Sequence, residues 1–302
     1  MQIIEKVIAT TSKTDVFELF PIGDVHIGAS NCAEQHFRDY VAYIKSKPNA
    51  FWVGGGDYCD YITPHDNRFS IRNVPDWLFV GSAVNIKEKL LDISRQQRER
   101  FVSIVEPIAD KCIGLIEGNH ETRIMDATYN GHHYVMCDEL GAPNLTDCSF
   151  VRLRFCTGRG SGASVIVFIM HGCGGGRTEG AEPNHLKRIS AYGEADIFLR
   201  GHSHTFEIRP PEPRLYIPRR GALPDELCER SVRKGNWGCW LRSYAVGAPT
   251  YDSRAAYPPR PLVAMEIRIK PANNRPQRKG GKPVTVTAPQ IKMIECDYRN
   301  EF

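Results

Sequence analysis

From its amino end the chain alternates short apolar runs with polar segments. Val16 to Ile22 reads as a strand ending in Gly-Asp, and Phe37, Val41 and Ile44 follow at helical spacing before the next apolar run, Phe51 to Val53. Strand, helix, strand in that order is a βαβ signature. A longer helical stretch, Ile86 to Ile108, carries Leu90, Ile93, Phe101, Val105 and Ile108 near one face and leads into a short apolar strand, Cys112 to Ile116. This alternation predicts an α/β core with ligands gathered outside the carboxyl ends of its strands.

The second half changes character. Ser149 to Phe155 and Ala163 to Met170 both read as strands, and the Gly-rich TGRGSG between them fits a β-hairpin. Asp196 to Leu199 is one more strand. The Pro- and Arg-rich tract Arg209 to Arg220 reads as an irregular excursion. From Leu241 the chain returns to short β-like segments, Leu262 to Ile269 and Thr285 to Thr287, split by the basic loop PANNRPQRKGGK.

Composition adds exclusions and little else. The 302 residues are 41 % apolar and 25 % charged, the profile of an ordinary globular chain and far from a disordered or collagen-like one. A formal net charge of +4 permits a polyanionic partner without requiring one. The longest clear apolar run, Val165 to Met170, falls far short of the ~20 residues that cross a bilayer. The amino end lacks a basic segment leading into an apolar one, so a cytoplasmic protein with no membrane partner is expected. The cysteines form no CxxC pair and are expected to be free, mostly structural thiols.

The chemistry lies in short polar clusters, most of them directly after a strand. They are Gly23-Asp24-Val25-His26, Gly56-Asp57-Tyr58-Cys59-Asp60, Gly118-Asn119-His120-Glu121, His171-Gly172 and Gly201-His202-Ser203-His204. A strand that ends abruptly in Asp, Asn or His beside Gly puts a donor atom at the rim of a sheet. Carboxylate, amide oxygen and imidazole are the donors of a mixed nitrogen and oxygen metal site. Asp24, His26, Asp57, Asn119, His171, His202 and His204 exceed what one tetrahedral ion needs and suit two ions sharing a carboxylate. Taken singly, a D-x-H or H-x-H is usually a surface loop and GD-x-x-D often only a turn, but their joint occurrence at successive strand ends is improbable by chance. His36, His65, His132, His133 and His185 fall outside the pattern and read as solvated or core histidines. Tyr58 and Cys59 read as packing residues, and Glu121 as a support for its turn.

In this order the motifs D-x-H, GD-x-x-D, GNHE, H and GH-x-H resemble the signature of the calcineurin-like metallophosphoesterase superfamily, over Asp24 to His204. The resemblance implies an α/β fold, a four-layer α/β/β/α sandwich, as a single metallophosphoesterase domain over residues 1–302. Its motif core would span 16–205, with a β-rich completion or decoration over 206–302. It also implies Asp24, His26, Asp57 and His204 on one divalent ion and Asp57, Asn119, His171 and His202 on the other, with Asp57 bridging. A hydroxide held between the two metals would then attack the phosphorus. His120 would protonate the leaving oxygen or stabilise charge on the phosphoryl oxygens, with Asp60 as its orienting carboxylate. Mn²⁺ is the default ion, and Fe, Zn²⁺ and Ni²⁺ accept the same donors.

The substrate would be set by the loops. Arg123 is a candidate phosphate contact, set against an ordinary surface arginine. Two inserts mix cations with aromatics: Tyr61 to Lys89, with Arg68, Phe69, Arg72, Trp77 and Phe79, and Arg209 to Trp240, with Arg214, Tyr216, Arg219, Arg220, Trp237 and Trp240. Such pairs suit stacked bases and a phosphate backbone, and equally suit packing of the inserts on themselves. Asp24-Val-His26-Ile27-Gly28 resembles the D-x-H-x-G opening of DNA-repair exonucleases of this superfamily, which turns the expectation toward a phosphodiesterase or nuclease acting on nucleic acid or a nucleotide. The alternatives are a phosphomonoesterase such as a Ser/Thr phosphoprotein phosphatase, against which Tyr61-Ile62 stand where that family has Arg-Gly, and a noncatalytic metal-binding scaffold subunit. The basic stretch Arg268 to Lys282 would follow a polyanion or simply be solvated.

Overall fold

In a computed structural model, the described residues are 1–12, 14–79, 86–128, 131–156, 163–174, 180–216, 228–246, 249–271 and 289–298. The chain runs β1 (Gln2–Ala9), β2 (Phe17–Ile22), α1 (Glu34–Ser46), β3 (Ala50–Gly54), α2 (Ile86–Leu91), α3 (Ile93–Val105), β4 (Cys112–Leu115), α4 (Asn119–Thr128) and α5 (His132–Leu140). There follow β5 (Cys148–Cys156), β6 (Ser164–Met170), α6 (Ala181–Ile189), β7 (Ile197–Arg200), β8 (Phe206–Ile208) and β9 (Glu212–Tyr216). The last third adds β10 (Cys228–Trp237), α7 (Tyr251–Arg254), β11 (Ala264–Lys270) and β12 (Gln290–Cys296).

These strands form two sheets. The five-stranded sheet is ordered β12-β11-β2-β3-β4, with β2, β3 and β4 parallel. The seven-stranded sheet is ordered β1-β5-β6-β7-β10-β8, with β9 paired on β10. In it β6, β7 and β10 are parallel. Period-two alternation buries both faces of the central strands. Leu19, Val53 and Ile113 of one sheet meet Val151, Val167 and Leu199 of the other. Phe20, Trp52 and Leu115, pointing the opposite way, pack under Phe37 and Tyr40 of α1, Phe101 of α3 and Met136 of α5. On the far side Phe168 and Phe198 carry Leu186 and Ile189 of α6. The chain therefore has a mixed α/β fold of two sheets with flanking helices.

Two sequence expectations change, and one strand comes where none was expected. The long helix over Ile86 to Ile108 breaks at Asp92, which leaves the helical region with φ −112° and ψ 20°. The tract after Arg209 is a strand in part, because β9 pairs along β10 with Tyr216 opposite Cys228. The strand β1 precedes the Val16 to Ile22 run; it lies parallel to β5 with Ile3 and Val7 exposed at the sheet edge. The turn at 157–162, the segment Thr285 to Thr287, Arg219, Arg220 and the basic loop beyond Pro271 lie outside the described residues. Among the described residues no helix is long and apolar enough to cross a membrane.

Candidate metal centre

The parallel strands β2, β3 and β4 point their carboxyl ends the same way, and each is followed at once by a polar cluster. Asp24 and His26 follow β2, Asp57 follows β3, and Asn119 opens α4 just beyond β4. In the second sheet His171 follows β6, and His202 and His204 follow β7. The backbone continues pairing past the strand ends: Asp24 N donates to Gly56 O at 2.9 Å and Ile27 N to Tyr58 O at 3.0 Å.

This local path is strained. Asp24, His26, Asp57, His202 and His204 all adopt positive φ, at 48°, 53°, 53°, 70° and 57°. Non-glycine residues rarely take this region, at a cost of about 1–2 kcal/mol each, and they persist there only where surrounding bonds hold them. Glycine provides the clearance. A Cβ on Gly118 would lie 2.1 Å from Asp57 Oδ1, and one on Gly56 would lie 2.5 Å from Gly118 N.

The donors meet in two sets, each with its ligand atoms within 4.8 Å of one another: Asp24, His26 and His204, and Asp57, His171 and His202. Asn119 Oδ1 joins the second, 3.0 Å from His171 Nε2 and 2.7 Å from His202 Nδ1. Asp57 links them, its Oδ2 lying 3.2 Å from His171 Nε2 and 3.8 Å from His26 Nε2. His204 Nε2 is 3.2 Å from Asp24 Oδ1 and 3.1 Å from His26 Nε2. Imidazole nitrogens facing one another and two buried carboxylates fit divalent cations of borderline softness. A third group, His26, Asp60 and His120, has ligand atoms equally close to one another.

Electrostatics tie the site together. Burial works to raise the Asp57 carboxyl, yet His171, His120 and His26 hold it well below its ordinary value. Burial works to lower His171, and the charges of Asp57 and Asp24 raise it to about 10 instead. Burial lowers His202 to about 4, helped by the charge on His171, and lowers His204 as well. His171 Nδ1 is bonded to Gly55 O at 2.8 Å, which fixes the ring with Nε2 toward Asp57.

His120 lies beside both sets without belonging to either of the ion positions the resemblance assigns. Its backbone N–H donates to Asp57 Oδ1 at 2.9 Å, and its ring stands edge-on to His26 with centroids 4.7 Å apart. Its Nδ1 is bonded to the main-chain oxygen of Asp60. The Asp60 carboxylate turns instead toward His26 Nδ1, at 3.7 Å. Asp60 thus orients His120 through its carbonyl, and its carboxylate backs His26, because the loop after Asp57 carries that carbonyl over α4. Arg123 is 55 % exposed, with Nε 3.4 Å from Asp66 Oδ2.

Several contributors escaped the sequence pattern. Trp237 is buried, and its Nε1–H donates to Asp24 Oδ2 at 2.6 Å while its indole fills the space above Gly23, Gly55 and Gly201. Trp240 packs on Phe37, Tyr40 and Tyr298, and Phe69, Trp77 and Phe79 pack in a satellite cluster with Leu78 and Ile93. Trp240 is thus buried, Phe69, Trp77 and Phe79 are partly buried, and Tyr216 is exposed. The carboxylate of Glu121 accepts backbone N–H bonds from Asp57, Tyr58 and Gly118 at 2.7, 2.9 and 2.9 Å, clamping the β3 and β4 loops together. Burial and the charge of Asp57 raise its pKa to about 7. Arg200, only 1 % exposed, pairs with Glu182 at 3.2 Å. Ser203, between His202 and His204, donates to the same carboxylate at 2.6 Å. The acid in GNHE was the one available signal for the Glu121 clamp. Nothing local marks Trp237 or Glu182, which reach the site from distant segments.

In the order of its motifs and in their convergence the chain resembles the calcineurin-like metallophosphoesterases. No family model matches the sequence, and no curated protein matches it. Solved structures do: a calcineurin-like phosphoesterase, YfkN, from Bacillus subtilis, at 11 % identity over 93 % of this chain and 91 % of that one, with a TM-score of 0.40. Vps29 complexed with Zn²⁺ from Entamoeba histolytica is similar at 10 % identity over 92 % of this chain and 99 % of that one, TM-score 0.36. A predicted phosphoesterase from Streptococcus pneumoniae is similar at 12 % identity over 93 % of this chain and 99 % of that one, TM-score 0.30.

Proposed function

We propose that the chain is a metal-dependent phosphoesterase that cleaves phosphodiesters of nucleic acid or of nucleotides. The observation that carries this reading is the meeting of donors from both sheets in two sets joined through Asp57. Two divalent cations, one on Asp24, His26, His204 and Asp57 and the other on Asp57, Asn119, His171 and His202, would polarise phosphoryl oxygens and activate a water at neutral pH. Mn²⁺ is the ion of first choice. His120, whose Nδ1–H donates to the Asp60 main-chain oxygen, would give the leaving oxygen a proton from Nε2 as the imidazolium, a form that burial disfavours and the charges of Asp57 and Asp60 favour. Arg123, one turn beyond His120 on α4, contacts the substrate. The Asp24-x-His26-x-Gly28 opening supports a diester over a monoester.

The test is turnover of bis-p-nitrophenyl phosphate and p-nitrophenyl phosphate with added Mn²⁺, followed by single-stranded DNA. Faster diester hydrolysis is expected. His120→Ala should keep its metal and slow turnover about 100-fold or more, whereas Asp57→Asn should lose both ions. Bound metal without turnover of any phosphoester would sink the enzyme reading and leave the scaffold. Selective hydrolysis of phosphopeptides would make the chain a phosphomonoesterase.

A further inference from the structure

Beside the candidate centre, the loop after β3 and the first turns of α4 carry an arrangement that the metal sets do not use. Asp66 is held by two arginines at once. Arg68 takes it in a fork, Nε to Oδ1 at 3.1 Å and Nη2 to Oδ2 at 2.8 Å, and Arg123 adds Nε to Oδ2 at 3.4 Å. Arg68 N also donates to Oδ1 at 2.8 Å, which locks the loop. The Asp66 side chain is 10 % exposed, while those of Arg68 and Arg123 are 37 % and 55 % exposed.

Two guanidiniums around one carboxylate leave an excess positive charge. That charge persists across the working range because guanidinium groups do not deprotonate there, while Asp66, held down at about 2 by Arg68, stays a carboxylate that anchors them. The cluster also faces the centre. Arg123 lies three residues after His120 on one helix and so shares its face, and Arg68 is close enough to feel the charges of Asp57 and Asp60. Asp66 takes the Nε and Nη2 edge of Arg68 and the Nε of Arg123, and both partly exposed guanidiniums carry further N–H groups of the kind that suit phosphate oxygens. A scissile phosphate belongs among the buried donors, so these rim arginines serve a neighbouring one.

We propose that Arg68 and Arg123, anchored in common by Asp66, form a subsite for the phosphate next to the scissile phosphodiester. The inference rests on the phosphodiesterase reading and narrows its substrate class to chains or nucleotides with a second phosphate beside the bond that is cut. A surface cation contributes little in isolation because water screens it. Here the shared carboxylate holds both guanidiniums in place, so less freedom is lost when an anion arrives.

The test compares the thymidine dinucleotide TpT with its 5′- and 3′-phosphorylated forms, pTpT and TpTp, on the metal-loaded protein. One phosphorylated form should be cleaved with a kcat/KM about tenfold or more above TpT, the scale of one charge-assisted hydrogen bond. Within Arg68→Met that ratio should fall toward one, and Arg68→Lys should restore part of it. Equal kcat/KM for all three dinucleotides, or a ratio unchanged in Arg68→Met, overturns the subsite. Binding of the preferred form to chelator-treated protein, relative to TpT, separates the two claims. A binding preference lost in Arg68→Met, with no turnover in any condition, keeps the subsite and discards the hydrolase reading. Turnover without any preference does the reverse.

Discussion

Asp24 shows how a single residue here is committed on several sides. Its backbone sits at φ 48°, its carboxylate is fully buried, Oδ1 faces His204, and Oδ2 takes the indole N–H of Trp237. An outer partner of this kind sets which oxygen a ligand offers. Trp237→Phe removes the donor together with the indole atoms Nε1, Cε2 and Cζ2 that lie over Gly23, Gly55 and Gly201. Metal titration against a competing chelator should show one of two binding steps weakened by roughly 10- to 100-fold, with the other nearly unchanged. Equal weakening of both steps would mean that Trp237 supports the whole rim. Asp24 itself was legible in the sequence as an acid after an apolar strand. Its partner was not, because 213 residues separate them.

Elements, at the next scale, deliver these residues by a shared rule: parallel strands end on one side, and the loops that follow bring their donors to one rim. The β3 and β4 loops are clamped by Glu121, and the loops after β6 and β7 are tied by the buried Arg200–Glu182 pair with Ser203. A buried ion pair is costly to break on one side only. Glu182→Leu should therefore destabilise the fold by about 3–5 kcal/mol, leaving a guanidinium buried without its partner. The double variant Arg200→Leu, Glu182→Leu should recover much of that loss in urea denaturation. A double variant as unstable as the single one would mean that Arg200 is held by contacts other than Glu182.

Across the whole molecule, stability is linked to pH through a histidine outside both donor sets. His133 of α5 is buried against Tyr58, and burial lowers its pKa from 6.5 to about 4. Its stability contribution is full above the unfolded pKa and is lost as pH falls from there through about 4, because the unfolded chain takes up the proton first. Denaturation at pH 7.5 and pH 5 should differ by about 2 kcal/mol from this group alone, and His133→Gln should flatten that slope. An unchanged slope would locate the acid sensitivity elsewhere. At this scale the first two-thirds of the chain and the last are also interwoven: β10 lies between β7 and β8, and β11 pairs with β2. From the sequence alone the alternating α/β class and the polar clusters after β2, β3 and β4 are legible, since period and composition are local and apolar runs ending in Gly-Asp or Gly-Asn read directly, whereas β1, β10 and β12 are not. Only the tertiary structure decided that Trp237 and Glu182 serve the site, that Trp237 and Trp240 are buried while Tyr216 is exposed, and that the Asp60 carboxylate faces His26. Each depends on which distant surfaces are buried together, and burial is a property of the packed sheets rather than of any one segment.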